Sequence, residues 1–177
     1  TTSRPVSVFL KTMRLPSIQA VLPAGSSSPI IPAVNFHAKL DYESMAGIGS
    51  VLGSCSFIFM DDSVDMVWAA RKMIRFFKHE SCGKCTPCRE GTHWALKIYN
   101  KLLSGEGTMA DIDMIGEVNK QIIGKCFCPL GEFATSSMTF TLKHFKQDYI
   151  DFIEKKKGGT PEYKAELARD THGHHAQ

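Results

Sequence analysis

Six cysteines among 177 residues are too few for a disulfide-dense scaffold, and five of them crowd into 82–128. That excludes a framework of staples and points to a single site, with reduced thiols and an intracellular setting as the expectation. Charge of one sign is scarce as well: the formal net charge is only +3, with Lys and Arg interleaved among Asp and Glu. No basic stripe is offered to nucleic acid, which is set aside as a partner. Long apolar runs are missing. The longest uncharged stretch, 44–60 ("SMAGIGSVLGSCSFIFM"), touches the lower limit for a membrane span but is broken by three Gly and four Ser, so it reads as a buried turn and strand. No basic n-region leading into an apolar h-region is found, so no secretory signal is expected, and "TTSRPVSVFLKTMRLP" carries little weight. No internal repeat is visible. A Gly-rich phosphate cradle opening a helix is absent too: "GIGSVLG" at 47–53 imitates one but leads into a strand pattern.

What is present is enough to build a core, with 43% of residues apolar. Up to about residue 60 the texture is strand and turn: "SIQAVLP" is a short β-like run, "AGSSSPIIPA" a loop and "SCSFIFMDD" an apolar strand ended by acids. From there the period becomes helical, with the boundary near 59–63. Asp62 or Ser63 can cap a first helix carrying Met66, Ala70, Met73 and Phe77, with Arg71, Lys72, Arg75 and Lys78 filling the rest. Pro87 suits the opening of a second, with Trp94, Ile98 and Leu102 on one face and Gly105 and Gly107 as its stop. Thr108 and Asp111 form a capping box for a third, with Ile112, Ile115, Val118 and Ile122, ending at Gly124. A fourth spans 132–155, with Met138, Leu142, Phe145, Tyr149 and Phe152 in phase. The fold class predicted is α+β, with the four helices forming a bundle. Segment 1–16 is left unassigned, and the polar 156–177 is expected to be a flexible tail.

The chemistry lies in Cys82-x-x-Cys85-x-x-Cys88. Two-residue spacers let one curling loop aim three sulfurs at a common centre, which matches three corners of a [4Fe–4S] cubane. The fourth corner needs a distant thiolate, and Cys55, Cys126 and Cys128 are available. Cys128 is chosen because Pro129 follows it, the Cys-Pro pairing that closes ferredoxin motifs, and because it sits just past a helix stop. Cys126 reads as a small spectator thiol of undecided role, and Cys55, inside an apolar strand, as a core residue. Zinc is the competing ion, with His79, His93 and His144 as further donors, in a non-enzymatic interaction module stabilised by the metal. Zinc sites usually come as two separated pairs, whereas here a compact triplet is followed about forty residues on by Cys-Pro. The "HGHH" tail reads as solvated. Lys84, Thr86 and Arg89 are placed to act on the loop from outside the ligand set, while Trp94 and Ile98 are expected to keep the site dry. No other residue pattern looks catalytic.

Four stretches, "MAGIGSVLGSCSFIFMDD", "HESCGKCTPCREGT", "GKCFCPLGEFA" and "LKHFKQDY", resemble in order and spacing the NADH-binding flavoprotein subunit of respiratory complex I, the F-type component of NADH-quinone oxidoreductase. The diaphorase subunits of NAD-dependent hydrogenases and formate dehydrogenases are similar. The resemblance runs over about 18–155 and implies a ubiquitin-like β-grasp domain at 17–60, then a four-helix iron–sulfur domain at 61–155. It implies Cys82, Cys85, Cys88 and Cys128 as the [4Fe–4S] ligands, with the family position matching Cys126 usually not a ligand. It also implies passage of single electrons from reduced FMN toward further iron–sulfur subunits, a [2Fe–2S] subunit among them, and quinone. The acceptor in a hydrogenase or formate dehydrogenase would differ. The expected location is the cytoplasmic or matrix side, peripheral to the membrane, with no direct membrane span. The family's FMN- and NADH-binding loop has no counterpart here, so this chain alone is not expected to oxidise NADH.

Overall fold

The computed structural model describes residues 4–15, 17–54 and 56–172, with side chains given to residue 170. Cys55, expected in the core, lies outside the described residues. The chain is α+β. A three-stranded antiparallel sheet of order β2-β1-β3 is formed by β1 (Ile18–Ser26), β2 (Ile31–Pro32) and β3 (Ile58–Asp61). Val21 faces Ile31 on one side and Phe59 on the other. The register slips by one residue between Ile18 and Ala20. The extra residue, Gln19, uses its amide to donate to the carbonyl oxygens of Asp61 (2.6 Å) and Val64 (2.7 Å), so the bulge ties the sheet to the turn that starts the helices.

β1 is apolar throughout its middle because both faces are covered. Ala20 and Leu22 pack with Met60, Met66, Ala69 and Met73. Val21, on the other face, packs with Ile31, Ala38 and Met45, and with Val6 and Leu10 of a helix in the unassigned leader, α1 (Val6–Thr12). Met45 belongs to α2 (Tyr42–Gly47), so 47–53 follows a helix and opens none.

The helical part begins with α3 (Met66–Glu80). Its cap is neither Asp62 nor Ser63 but Asp65, whose carboxylate accepts from the N–H groups of Val67 (2.9 Å) and Trp68 (3.1 Å). Ser63 is already engaged, donating its N–H and O–H to Asp61, so the first free carboxylate with extended backbone is Asp65. α4 (Thr86–Ser104) ends on Gly105 at φ 86°, the left-handed stop glycine favours. α5 (Met109–Ile122) opens on the expected capping box, with Thr108 N–H 2.7 Å from Asp111.

The expected single helix over 132–155 is two, α6 (Leu130–His144) and α7 (Lys146–Glu154). The break at Phe145 (φ −128°, ψ 30°) lets its ring join the sheet-side cluster while Tyr149 and Phe152 enter the main core. There Tyr99 and Tyr149 are both fully buried with their hydroxyls 2.8 Å apart, and Thr141 lies 2.7 Å from Tyr149. Burial pushes both phenols well up; hydrogen bonds from Tyr149 and Thr141 offset it only in part at Tyr99, and at Tyr149 the neighbouring Tyr99 adds to the rise while Thr141 opposes it. α3 packs on α4 and α6, α4 on α5, and α5 on α6, closing a cycle around Ile74, Ala95, Leu103, Ile115 and Met138.

The expected flexible tail is corrected over most of its length by α8 (Pro161–His172), which packs on α4. The reason is Arg71, one of the charged residues filling the positions between the apolar ones of α3, yet 0% exposed. Its guanidinium donates to Asn100 (2.7 Å), Glu166 (2.8 Å) and Asp170. Glu166 also accepts from the Trp68 indole (2.6 Å) and pairs with Lys72 (2.9 Å). A buried cation must be matched, and α8 supplies the acids.

Candidate metal centre

α3 ends at Ser81, and the chain then turns through Gly83, whose φ of 77° lies in the left-handed region, before α4 begins. Cys85 is the residue capping α4, Pro87 occupies its first turn, and Cys88 is buried in that turn. Cys82 is exposed and Cys85 half-buried. Across from this loop lies a second turn, between α5 and α6, closed by Gly124 N–H donating to Glu132 (2.7 Å). It carries Cys126, half-buried, then Phe127, 89% exposed, and Cys128, exposed just before α6. The two turns meet through the Phe127 N–H, which donates to the sulfur of Cys85 at 3.4 Å.

Of the four expected ligands, Cys85 and Cys88 sit together at the start of α4, while Cys82 and Cys128 are exposed in the two turns. Cys126, expected to stand aside, faces Cys85 and Cys88. Its thiol is pushed up first by burial, then by the neighbouring Cys88 and Cys85, against a hydrogen bond from the Cys88 backbone. Gly131 in the first turn of α6 makes room for it: a Cβ there would lie 2.6 Å from the Cys126 sulfur.

Of the residues expected to support the loop, Arg89 does so through backbone, donating to the Gly83 carbonyl at 2.6 Å and to Glu90 at 2.8 Å. Lys84 and Thr86 are exposed. The residue that sequence reasoning passed over is Ser81, whose hydroxyl oxygen lies 3.3 Å from the Cys88 sulfur. Its only sequence signal is a hydroxyl immediately before the first cysteine, at a helix end. Trp94, expected to shield the site, is 53% exposed. His79 pairs with Glu80 at 2.9 Å, and His144 stacks on Phe140.

The donor set suits a polynuclear iron–sulfur group. α4 and α6 both direct their N-terminal ends at the cysteine turns, so the positive ends of two helices face the site. N–H and O–H groups already approach two of the sulfurs. Among the described residues no three Cys, His, Asp or Glu side chains are gathered as they would be around a metal ion. The spacing of the cysteines is the feature that suits a cubane, in which each thiolate binds its own iron.

Thiols brought to two helix starts at the edge of a helical core, in a chain with a small sheet, suit an iron–sulfur region of an electron-transfer protein. Residues 68–151 match the family described as NADH-ubiquinone oxidoreductase-F iron-sulfur binding region, a [4Fe–4S] type. It is 41% identical over 140 residues to the second of the F-type subunits of NADH-quinone oxidoreductase in Rhizobium meliloti, covering 79% of this chain and 33% of that protein. It is 43% identical over 139 residues to the F-type subunit of the same enzyme in Mycobacterium bovis, covering 78% and 31%. Among solved structures it resembles a chain of NAD+-reducing [NiFe]-hydrogenase in the H2-reduced state, with TM-score 0.76 and 25% identity, covering 85% of this chain and 26% of that one. The chain is thus homologous to the F-type subunit of NADH-quinone oxidoreductase and spans about a third of the length of these relatives.

Proposed function

We propose that the chain is the electron-transfer part of the flavoprotein subunit of an NADH-quinone oxidoreductase, holding a [4Fe–4S] cluster on Cys82, Cys85, Cys88 and Cys128. The observation that carries this reading is the cysteine triplet at the start of α4 with a second cysteine turn hydrogen-bonded to it. When bound, the cluster supplies one-electron chemistry. The chain's own residues do the rest: the Phe127 N–H reaches the Cys85 sulfur, and buried Cys88 with the core behind it excludes water on one side. Arg89 and Glu132 hold the two turns in shape.

In this reading 17–60 is a β-grasp domain and 61–155 a four-helix bundle, supported by the small antiparallel sheet and the closed cycle of α3 to α6. NADH oxidation by FMN belongs to the part of the flavoprotein that this span does not cover. Partners are the further iron–sulfur subunits of such a complex, including a [2Fe–2S] subunit, with quinone as final acceptor. No helix among the described residues is long and apolar enough to cross a membrane, in keeping with a peripheral place on the cytoplasmic or matrix side. The likeness to the NAD+-reducing hydrogenase favours a second reading, the same site serving a hydrogenase in place of quinone reduction.

Iron, sulfide and zinc analysis with a visible spectrum tests the reading. Brown, reducible protein with about four iron and four sulfide per chain is expected, and colourless protein with about one zinc overturns it. Cys128→Ala loses the cluster and Cys126→Ala keeps it; the reverse reassigns the fourth ligand to Cys126, the thiol already beside Cys85 and Cys88.

A further inference from the structure

We infer that Ser81 is a positioning residue that sets the reduction potential of the site by donating a hydrogen bond to the sulfur of Cys88. The inference rests on the reading of Cys88 as a cluster ligand. The Ser81 oxygen and Cys88 sulfur are 3.3 Å apart, and as free groups either could donate. Ligation removes the choice, because a thiolate bound to iron has no proton to give. The other side of the hydroxyl is occupied: Gly83 N–H donates to the Ser81 oxygen at 3.3 Å. A hydroxyl has one proton, and with an oxygen lone pair taken by Gly83 that proton is turned toward the sulfur.

The arrangement is built rather than incidental. Ser81 is fixed at the end of α3, its N–H bonded to the Phe77 carbonyl at 3.0 Å, and Phe77 is buried in the main core. Gly83 is held in its left-handed conformation with its carbonyl gripped by Arg89. Cys88 is itself buried, so water competes little for its sulfur. Among the described residues, donors from outside the ligand set reach two of the ligand sulfurs, the Phe127 amide on Cys85 and the Ser81 hydroxyl on Cys88. The amide cannot be removed by side-chain substitution, which makes Ser81 the adjustable one. Reduction adds a negative charge spread partly over sulfur, and a donor to sulfur stabilises that charge more than it stabilises the oxidised form. In a titration one electron passes from dithionite, which is oxidised, to the site. No bond forms or breaks, and the Ser81 proton stays on its oxygen.

The test is a mediated redox titration of the iron–sulfur-loaded chain, read by the visible and electron paramagnetic resonance signals. Ser81→Ala is expected to lower the reduction equilibrium constant about tenfold, about 59 mV for a one-electron couple. Ser81→Thr, which keeps the hydroxyl, is expected to restore the wild-type potential. A purely structural role would lower stability in the alanine variant without moving the potential. An unchanged potential in Ser81→Ala, or a threonine variant that tracks the alanine one, overturns the inference. So does an alanine variant that takes up no iron and sulfide while the threonine variant does, because the hydroxyl would then hold the cluster rather than tune it. If wild-type chain itself takes up no iron and sulfide, the underlying reading of the site fails before Ser81 is in question.

Discussion

Glu166→Ala is expected to release α8 from the rest of the chain. The carboxylate holds three donors, Arg71 at 2.8 Å, the Trp68 indole at 2.6 Å and Lys72 at 2.9 Å. Removing one partner of a buried ion pair costs about 3–5 kcal/mol. Asp170 and Asn100 remain on Arg71, which places this term at the low end, about 3 kcal/mol. The orphaned Trp68 indole adds about 1 kcal/mol. Lys72 is exposed enough to find water, and its loss adds little. The sum, about 4 kcal/mol, is roughly a thousandfold in an opening equilibrium.

Hydrogen–deuterium exchange of peptides covering 161–170, read by mass spectrometry, measures this locally without assuming that the chain unfolds in one step. Protection in α8 should fall by about a thousandfold or reach the rate of unstructured chain, while β1 and α4 change far less. Glu166→Gln keeps a neutral acceptor and should cost roughly tenfold. If α8 in Glu166→Ala exchanges within about threefold of wild type, Arg71 does not anchor the helix and the reasoning fails.

The same carboxylate gives a pH dependence. Burial alone would raise it, but hydrogen bonds from Lys72 and Trp68 and the charges of Lys72 and Arg71 hold it below its ordinary value of 4.5. Its contribution is therefore complete above that value and is lost as pH falls through the lower folded value, so the protection factor of α8, the exchange rate divided out by the intrinsic rate at each pH, should be flat from neutrality to about pH 5 and fall below. Gly131→Ala forces a Cβ to within 2.6 Å of the Cys126 sulfur and should cost about 1–3 kcal/mol in denaturant titration. Adding Cys126→Ala should recover most of that, and equal midpoints for the single and double variants would show that the two do not collide. Trp94→Ala, at a 53% exposed position, should leave stability within about 0.5 kcal/mol and the visible spectrum unchanged.

What could be read from the sequence was what is local. The capping box at Thr108 and Asp111, the stop at Gly105 and the opening at Pro87 depend on residues within one turn of each other, and all three are found. The change from β3 to α3 falls between Asp61 and Met66, but α1 and α2 lie in the stretch that reads as strand and turn. What failed depended on partners far along the chain. Arg71 looks like any surface arginine until Glu166 and Asp170, almost a hundred residues later, come to meet it. Without that contact α8 is only a polar segment, which is why it reads as a tail. Phe145 keeps perfect helical phase with Leu142 and Tyr149, yet its ring goes to the sheet-side cluster and the helix breaks there. The cysteine triplet was visible from spacing alone. The placement of Cys126 beside Cys85 and Cys88 was not, because it follows from the turn between α5 and α6 folding over the start of α4.

The two cysteine turns are held at both ends by helices that share one core, so the thiols do not depend on the chain ordering itself around a cluster. The walls of the site differ. Behind Cys88 the α4–α5 contact is so close that a Cβ at Gly91 would fall 2.5 Å from Ile122, and no partner can enter from that side. The opposite side holds exposed Cys82 and Cys128, with the 89% exposed Phe127 beside them. A one-electron site exchanges only with what comes close to it, so anything that gives electrons to this centre or takes them must approach over that open side. An apolar ring standing in water there is the surface from which such an approach would expel water.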